Sequence, residues 1–114
     1  MANSNLNDLW QGVLGTNNPC PSGWRVPTDT EWSAEEATFS PQSYVGAFNS
    51  PLKLTAGGYR NRVGGSLGAV GTGGYYWSSV VGGTGARYLF FSGSGSGVGG
   101  SNRAYGFSLR CVQD

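Results

Sequence analysis

The chain has 114 residues, 21 of them glycine, with 11% charged side chains and a net charge of +1, which is the length of one domain. It contains no histidine and two cysteines, so Ser-His-Asp and Cys-His nucleophile systems are excluded and a zinc site lacks its ligands. No run approaches the roughly 20 apolar residues that span a bilayer, and 13% aromatic content argues against a disordered chain.

Met1-Ala2-Asn3-Ser4-Asn5 has neither the basic region nor the apolar core of a secretory signal. Either the chain reaches its destination without one, or it is a module of a longer protein; Met1-Ala2 reads as an expression start and favours the second. Residues 4–11 are expected to form a short helix, with Ser4 as cap and Leu6, Leu9, Trp10 and Val13 at helical spacing. A turn-rich stretch from Gly15 to Gly23 follows, and Trp24-Arg25-Val26-Pro27 is extended.

Thr28-Asp29-Thr30-Glu31 is the clearest local signal, a capping box with an acidic first turn. It predicts a helix over about 29–39 that buries Trp32 and Phe39. Ser40-Pro41 then predicts a second helix, Ser40 as cap and Pro41 at its first position. Its apolar stripe would be Tyr44, Val45 and Phe48, and Asn49-Ser50-Pro51 would stop it.

From Leu52 the period becomes two, with Leu52 to Thr55 alternating until Gly57-Gly58. Tyr75 to Val81 is a strand by its aromatic and β-branched content. Gly82 to Gly85 is a turn and Ala86 to Ser92 the next strand, which together make an antiparallel hairpin. Gly93 to Ser101 has the composition of a flexible linker, yet a strand follows at once. Asn102 to Val112 alternates, with Tyr105, Phe107, Leu109 and Cys111 on one face. Helices first and a meander of strands after them give an α+β class.

Cys20 and Cys111 lie 91 positions apart. They are either a bridge, which would contribute on the order of 4 kcal/mol in the chain-entropy model, or two buried free thiols. Sixteen of the glycines fall between Gly57 and Gly100; no phosphate-loop pattern accompanies them, so they read as tight turns and close backbone approaches.

Charge is unevenly spread. Asp8, Asp29, Glu31, Glu35 and Glu36 lie in the first third, whereas Ala37 to Gln113 holds no carboxylate but does hold Lys53, Arg60, Arg62, Arg87, Arg103 and Arg110. An acid–base pair across a cleft and a calcium site are both unexpected. Tyr59, Arg60, Asn61, Arg62, Tyr75, Arg87, Tyr88, Phe90, Asn102, Arg103 and Tyr105 have the vocabulary of a binding surface. Arg25 and Arg110 read as structural hydrogen-bond donors. The cations are spread and lysine is not clustered, which argues against nucleic acid. Alternation in the strand Ala86 to Ser92 puts Leu89 and Phe91 inward and Tyr88 and Phe90 outward, beside a segment 93–103 expected to be mobile.

Several segments resemble a known family: Leu9-Trp10-Gln11-Gly12, Cys20-Pro21-Ser22-Gly23-Trp24-Arg25-Val26-Pro27-Thr28 with Glu31-Trp32, Leu52-Lys53-Leu54 with Ala56 to Arg60, Gly74 to Ser79, and Arg103 to Val112. Together they resemble the Fibrobacter succinogenes major paralogous domain, which is similar to the C-type-lectin-fold variable proteins diversified by retroelements in phages and bacteria. The resemblance spans about residues 9–112. It implies one C-type-lectin-like domain over 1–114, of the formylglycine-generating-enzyme-like subgroup, with two helices flanking a small twisted antiparallel sheet. It also implies termini close together, as a Cys20–Cys111 bridge would require.

In diversified members the variable positions lie on a solvent-facing sheet surface. Carried over, these are Tyr75, Arg87, Tyr88, Phe90, Ser92, Ser94, Ser96, Asn102, Arg103 and Tyr105, to which the residue reading adds Tyr59, Asn61 and Arg62. The calcium-lectin motifs Glu-Pro-Asn, Gln-Pro-Asp and Trp-Asn-Asp are absent, as is the paired reactive cysteine of the sulfatase-activating enzyme. The expectation is therefore a non-enzymatic ligand-binding domain without metal or cofactor. It would be displayed on a virion or cell surface and would bind a host-cell receptor, protein or glycan. The alternative is a structural or assembly module, a tail-fibre tip or filament subunit, using the same face for self-association.

Overall fold

The computed structural model describes residues 10–82 and 85–113. In chain order the elements are β1 (Trp24–Arg25), α1 (Asp29–Glu36), α2 (Tyr44–Asn49), β2 (Tyr59–Arg60), β3 (Leu67–Gly68), β4 (Gly74–Gly82), β5 (Gly85–Phe91), β6 (Ser96–Ser101) and β7 (Val112–Gln113). The strands form three antiparallel sheets, β4-β5-β6, β1-β7 and β2-β3. The class is α+β. Among the described residues no helix is long and apolar enough to cross a membrane.

The capping box forms as its residues predict. Thr28 Oγ1 accepts from the Glu31 N–H, and Glu31 Oε1 accepts from the Thr28 N–H at 2.8 Å. Arg25 donates two bonds of 2.6 Å to the same carboxylate, which ties β1 to the start of α1. The Arg25 hydrogen bonds hold the Glu31 carboxyl down at about 2, against its partial burial. The helix ends at Glu36 rather than 39. Thr38 and Phe39 donate to the carbonyls three residues back, a tighter turn that still buries Phe39.

The second helix differs from expectation. Its cap is Ser43, not Ser40, and the Ser40–Pro41 peptide is cis. The Tyr44 N–H donates to the Ser92 carbonyl at 2.9 Å, fastening the helix start to the end of β5. Its buried side is Gly46 and Ala47, while Tyr44, Val45 and Phe48 are 38%, 47% and 55% exposed. The cause is a close approach of backbone: a Cβ on Gly46 would lie 1.8 Å from the Pro41 carbonyl oxygen. Only glycine fits there, and it turns the apolar stripe outward.

The core holds Trp32, Phe39, Ala47, Leu54, Tyr76, Leu89 and Phe91 between α1, α2 and one face of the β4-β5-β6 sheet. Trp32 Nε1–H donates to the Trp77 carbonyl at 3.0 Å. Tyr76 places its hydroxyl against the Thr55 backbone, accepting from the N–H at 3.1 Å and donating to the carbonyl at 3.0 Å. These buried polar groups are therefore satisfied.

Three other expectations are corrected. Leu52 to Thr55 keeps its alternation in burial but forms no strand; Lys53 sits at φ 53, and the Leu54 N–H bonds back to Ala47. Gly93 to Ser101 is neither linker nor mobile segment, because Ser96–Ser101 is β6, paired with β5 from Phe91↔Ser96 to Ala86↔Ser101. Asn102 to Val112 is not one strand. It turns at 102–105, bridges Arg60 through Gly106 and Tyr76 through Ser108, and joins β1 as β7. It serves three sheets in succession, which no straight strand could do.

Of the helix expected at 4–11, residues 4–9 lie outside the described residues; Trp10 is in a turn at φ 66. Cys20 and Cys111 are bridged, with 5.9 Å between their Cα atoms. Arg110 donates to the Leu52 carbonyl at 2.7 Å.

Candidate ligand-binding face

The β5 strand divides the molecule. Leu89 and Phe91 are fully buried toward α1, and Tyr88 and Phe90 point to the other side. Directly opposed residues of antiparallel strands share a face, so the pairs Trp77↔Tyr88, Tyr75↔Phe90, Tyr88↔Gly99 and Phe90↔Gly97 define one outer surface. Its β6 portion carries Gly97, Gly99 and, opposite Ala86, Ser101. A Cβ on Gly97 would sit 3.3 Å from the Phe90 ring, and one on Gly99 would sit 3.7 Å from the Tyr88 hydroxyl. These two glycines give the rings room to lie along the sheet.

The turn at 102–105 and the segment after it add Tyr105 and Phe107 from one side, and β2 adds Tyr59. Phe107 is the hub: its ring centroid is 4.3 Å from Trp77, 4.9 Å from Tyr88, 5.3 Å from Tyr75 and 5.6 Å from Tyr105. Tyr59 stands edge-on to Tyr75 at 5.1 Å and to Tyr105 at 5.8 Å. Such tilted and edge-to-face pairs suit the ring quadrupoles and hold one another in place.

Tyr59, Tyr75, Tyr88, Ser101, Tyr105 and Phe107 line an open depression of about 190 Å³. Among the described residues, the hydroxyls of Tyr59, Tyr75, Tyr88 and Tyr105 make no hydrogen bond, in contrast to Tyr76. Burial, then the neighbouring Tyr59 and Tyr88, push the Tyr75 hydroxyl above its ordinary value, so it stays a neutral donor. Arg62 lies 5.9 Å over the Tyr105 ring at the rim. The arrangement offers flat apolar rings, free hydroxyls and a cation, and no carboxylate. A second, apolar groove of about 320 Å³ runs past Trp10, Trp77, Val80, Val81, Ala86 and Arg103.

The other expected site residues are placed differently. Arg87 and Ser96 lie on the helix side of the sheet. Arg87 Nε donates to Asp29 at 2.8 Å, and Ser96 Oγ donates to Glu36. Arg87 is thus corrected from the expected set: it alternates with Tyr88 and shares the inward side of Leu89 and Phe91. Ser92 and Ser94 fold the β5–β6 turn against Tyr44. Asn61 and Asn102 accept the Val63 and Ala104 N–H groups at 2.9 and 2.8 Å, so they build the turns beside Tyr59 and Tyr105. Arg103 donates to the Gly85 carbonyl at 3.0 Å and lines the second groove.

Trp77, Ser101 and Phe107 belong to the face but are missing from the expected set. Two of them were signalled: Phe107 shares the alternate-residue face of Tyr105, and Trp77 lies two residues from Tyr75. Among the described residues no three of Cys, Asp and Glu gather into a metal-binding group. Compared with known proteins, the chain matches no family model, no curated protein and no solved structure.

Proposed function

We propose that this chain is a non-enzymatic ligand-binding domain of the C-type lectin fold, displayed on a virion or cell surface and binding a host-cell receptor through the outer aromatic face. One observation supports this: four tyrosines whose hydroxyls have no partner among the described residues line, with Phe107 and Ser101, one open depression. Rigid rings lose little entropy on binding, and unpaired hydroxyls supply directional contacts. Two helices, a small antiparallel sheet, and a first strand paired with the last support the fold assignment. The bridge between Cys20 and Cys111 is consistent with an oxidising compartment outside the cell.

The alternative, an assembly module, draws on a different observation. Val63, Leu67 and Val70 are exposed around β3, as are Val45 and Phe48 on α2, and exposed apolar residues of this number suit a contact between copies.

The test is a binding screen of the oxidised domain against glycan panels and intact host cells, with a Tyr75→Ala, Tyr88→Ala double variant alongside. Capture by the parent domain and its loss in the folded variant is the expected result. Equal capture by both would place the site elsewhere. Concentration-dependent assembly with no capture would favour the alternative.

A further inference from the structure

The two outer edges of the β4-β5-β6 sheet are treated differently. Along β4, the Trp77 N–H donates to the Ser108 carbonyl at 3.1 Å, and the Ser108 N–H donates to the Tyr75 carbonyl at 2.8 Å. That edge is closed. Along β6, among the described residues, no backbone group of Ser96–Ser101 is bonded outside its ladder with β5. The Ser92 N–H to Gly95 carbonyl bond of the connecting turn fixes the phase of that ladder. Hydrogen-bonded pairs alternate with non-bonded pairs in antiparallel strands. Gly97, Gly99 and Ser101 therefore bond to β5, while the N–H and C=O groups of Ser96, Val98 and Gly100 point away from it.

Proteins guard such an edge with lysine, proline, a bulge or a covering loop. The sequence Ser96-Gly97-Val98-Gly99-Gly100-Ser101 has neither charge nor proline, and its register with β5 runs without a bulge. We propose that β6 is a strand-addition site that takes an extended peptide segment of a partner protein as a fourth strand. Backbone bonds would give the affinity and alternate side chains the selectivity.

The occupant follows from the side chains. On the outer face β6 offers Gly97, Gly99 and, at its end, Ser101, with the Phe90 and Tyr88 rings lying toward the two glycines. An added strand would place two alternate side chains beside that bare strip. Bulky apolar or aromatic residues there would meet the two rings and extend the aromatic face by one row. A second copy pairing through its own β6 would bring only glycine and Ser101 to the outer face, and Ser96, Val98 and Gly100 to the inner. Cross-strand side-chain contacts supply much of the stability of a strand pair, and that pairing has almost none. The two ends of β6 differ in charge: Glu36 accepts from Ser96 Oγ at one end, and Arg103 follows Ser101 at the other. An antiparallel segment with an acidic residue beside Ser101 and a basic one beside Ser96 complements it. This surface meets the tyrosine depression at Tyr88 and Ser101, but the outward backbone groups of Ser96, Val98 and Gly100 lie outside the depression's lining, so the inference holds whatever fills that depression.

The probe is a soluble peptide, Glu-Thr-Tyr-Thr-Tyr-Thr-Tyr-Thr-Lys, titrated into the oxidised full chain and followed by amide NMR. The expected result is saturable shifts, with slowed amide exchange centred on Ser96, Val98 and Gly100. N-methylating every second backbone nitrogen gives two peptides of equal composition. The one methylated on its pairing edge should bind at least about tenfold more weakly than the other. Gly100→Pro removes an outward donor without touching the β5 ladder; it should weaken binding while leaving the remaining amide spectrum folded. Equal binding of the two methylated peptides would overturn the proposal, since it would mean docking by side chains alone. So would no binding at all, and so would a β6-paired dimer in sedimentation. Capture on cells that is lost in Tyr75→Ala and kept in Gly100→Pro tests the other surface, so either reading can fail without the other.

Discussion

Tyr75 and Tyr76 are consecutive residues of one strand, and they show how the two faces of the β4-β5-β6 sheet differ. Tyr76 points toward α1, is 6% exposed and has its hydroxyl bonded to Thr55. Tyr75 points the other way, is half-buried among rings and has no hydroxyl partner among the described residues. Both faces are aromatic. The inner one is covered by a helix that its side chains fasten; the outer one, among the described residues, is covered by Tyr59, Tyr105 and Phe107 rings from neighbouring segments that pack on the sheet's own rings. Residue type did not set burial here. What covered each face did, and the outer face is ordered by ring–ring contact without being sealed.

The sharpest way to break this contrast is to cut one ring on each side. Phe91→Ala removes a fully buried ring and should cost about 3–5 kcal/mol, measured by urea unfolding. Phe90→Ala, one residue away and only partly buried, should cost about 1 kcal/mol. Similar losses at both sites would mean that the outer face is core.

The bridge comes next. Cys20–Cys111 anchors the segment that carries Tyr105 and Phe107, and its loss should cost about 2–5 kcal/mol. Mass spectrometry of a non-reduced digest should show these two residues joined; two alkylatable thiols in air-oxidised, folded protein would contradict it. Reduction should disturb the Phe107 ring contacts more than those of Phe91.

The hydroxyls separate the faces more finely. Tyr76→Phe strands the Thr55 backbone groups and should cost about 1–2 kcal/mol, whereas Tyr75→Phe should leave the melting temperature unchanged and weaken only ligand capture. A loss of stability from Tyr75→Phe would show a hydroxyl partner within the fold.

The smallest effect lies in the Arg25–Glu31 pair. Glu31 has its carboxyl lowered from an ordinary 4.5 to about 2. A depressed carboxyl contributes stability above its unfolded value and loses it as pH falls through the folded one. The contribution is thus present above about 4.5 and gone near 2. The pair is partly exposed, so it is worth no more than about 1 kcal/mol. Glu31→Gln should flatten the melting temperature between pH 5 and 2, and an unchanged slope would show the pair to be neutral.

Much of the fold was legible where local chemistry decides. The Thr28–Glu31 capping box, the β4–β5 hairpin and the inward placement of Leu89 and Phe91 all follow from short-range pattern, and all are present. Alternation also found the outer Tyr88 and Phe90, and applied consistently it separates Arg87 from them. The α2 stripe misled because Tyr44, Val45 and Phe48 have helical spacing, but spacing does not say which side faces the core. Gly46 decided that, through a backbone approach made by residues before the helix. Asn102 to Val112 misled because alternating residues suit one strand, while its partners lie in three sheets.

Caps, turns, the alternating period of a strand and the uneven distribution of charge follow from what each residue meets within a few positions of the chain. Tertiary structure alone decided which faces are covered. It made Gly93 to Ser101 end in a paired strand, because β5 supplies a ladder that composition does not reveal. It also brought Tyr59, Tyr75, Tyr88 and Tyr105 around one depression from four separate segments. Ring packing and backbone pairing act between residues distant in the chain, and no local pattern carries their geometry.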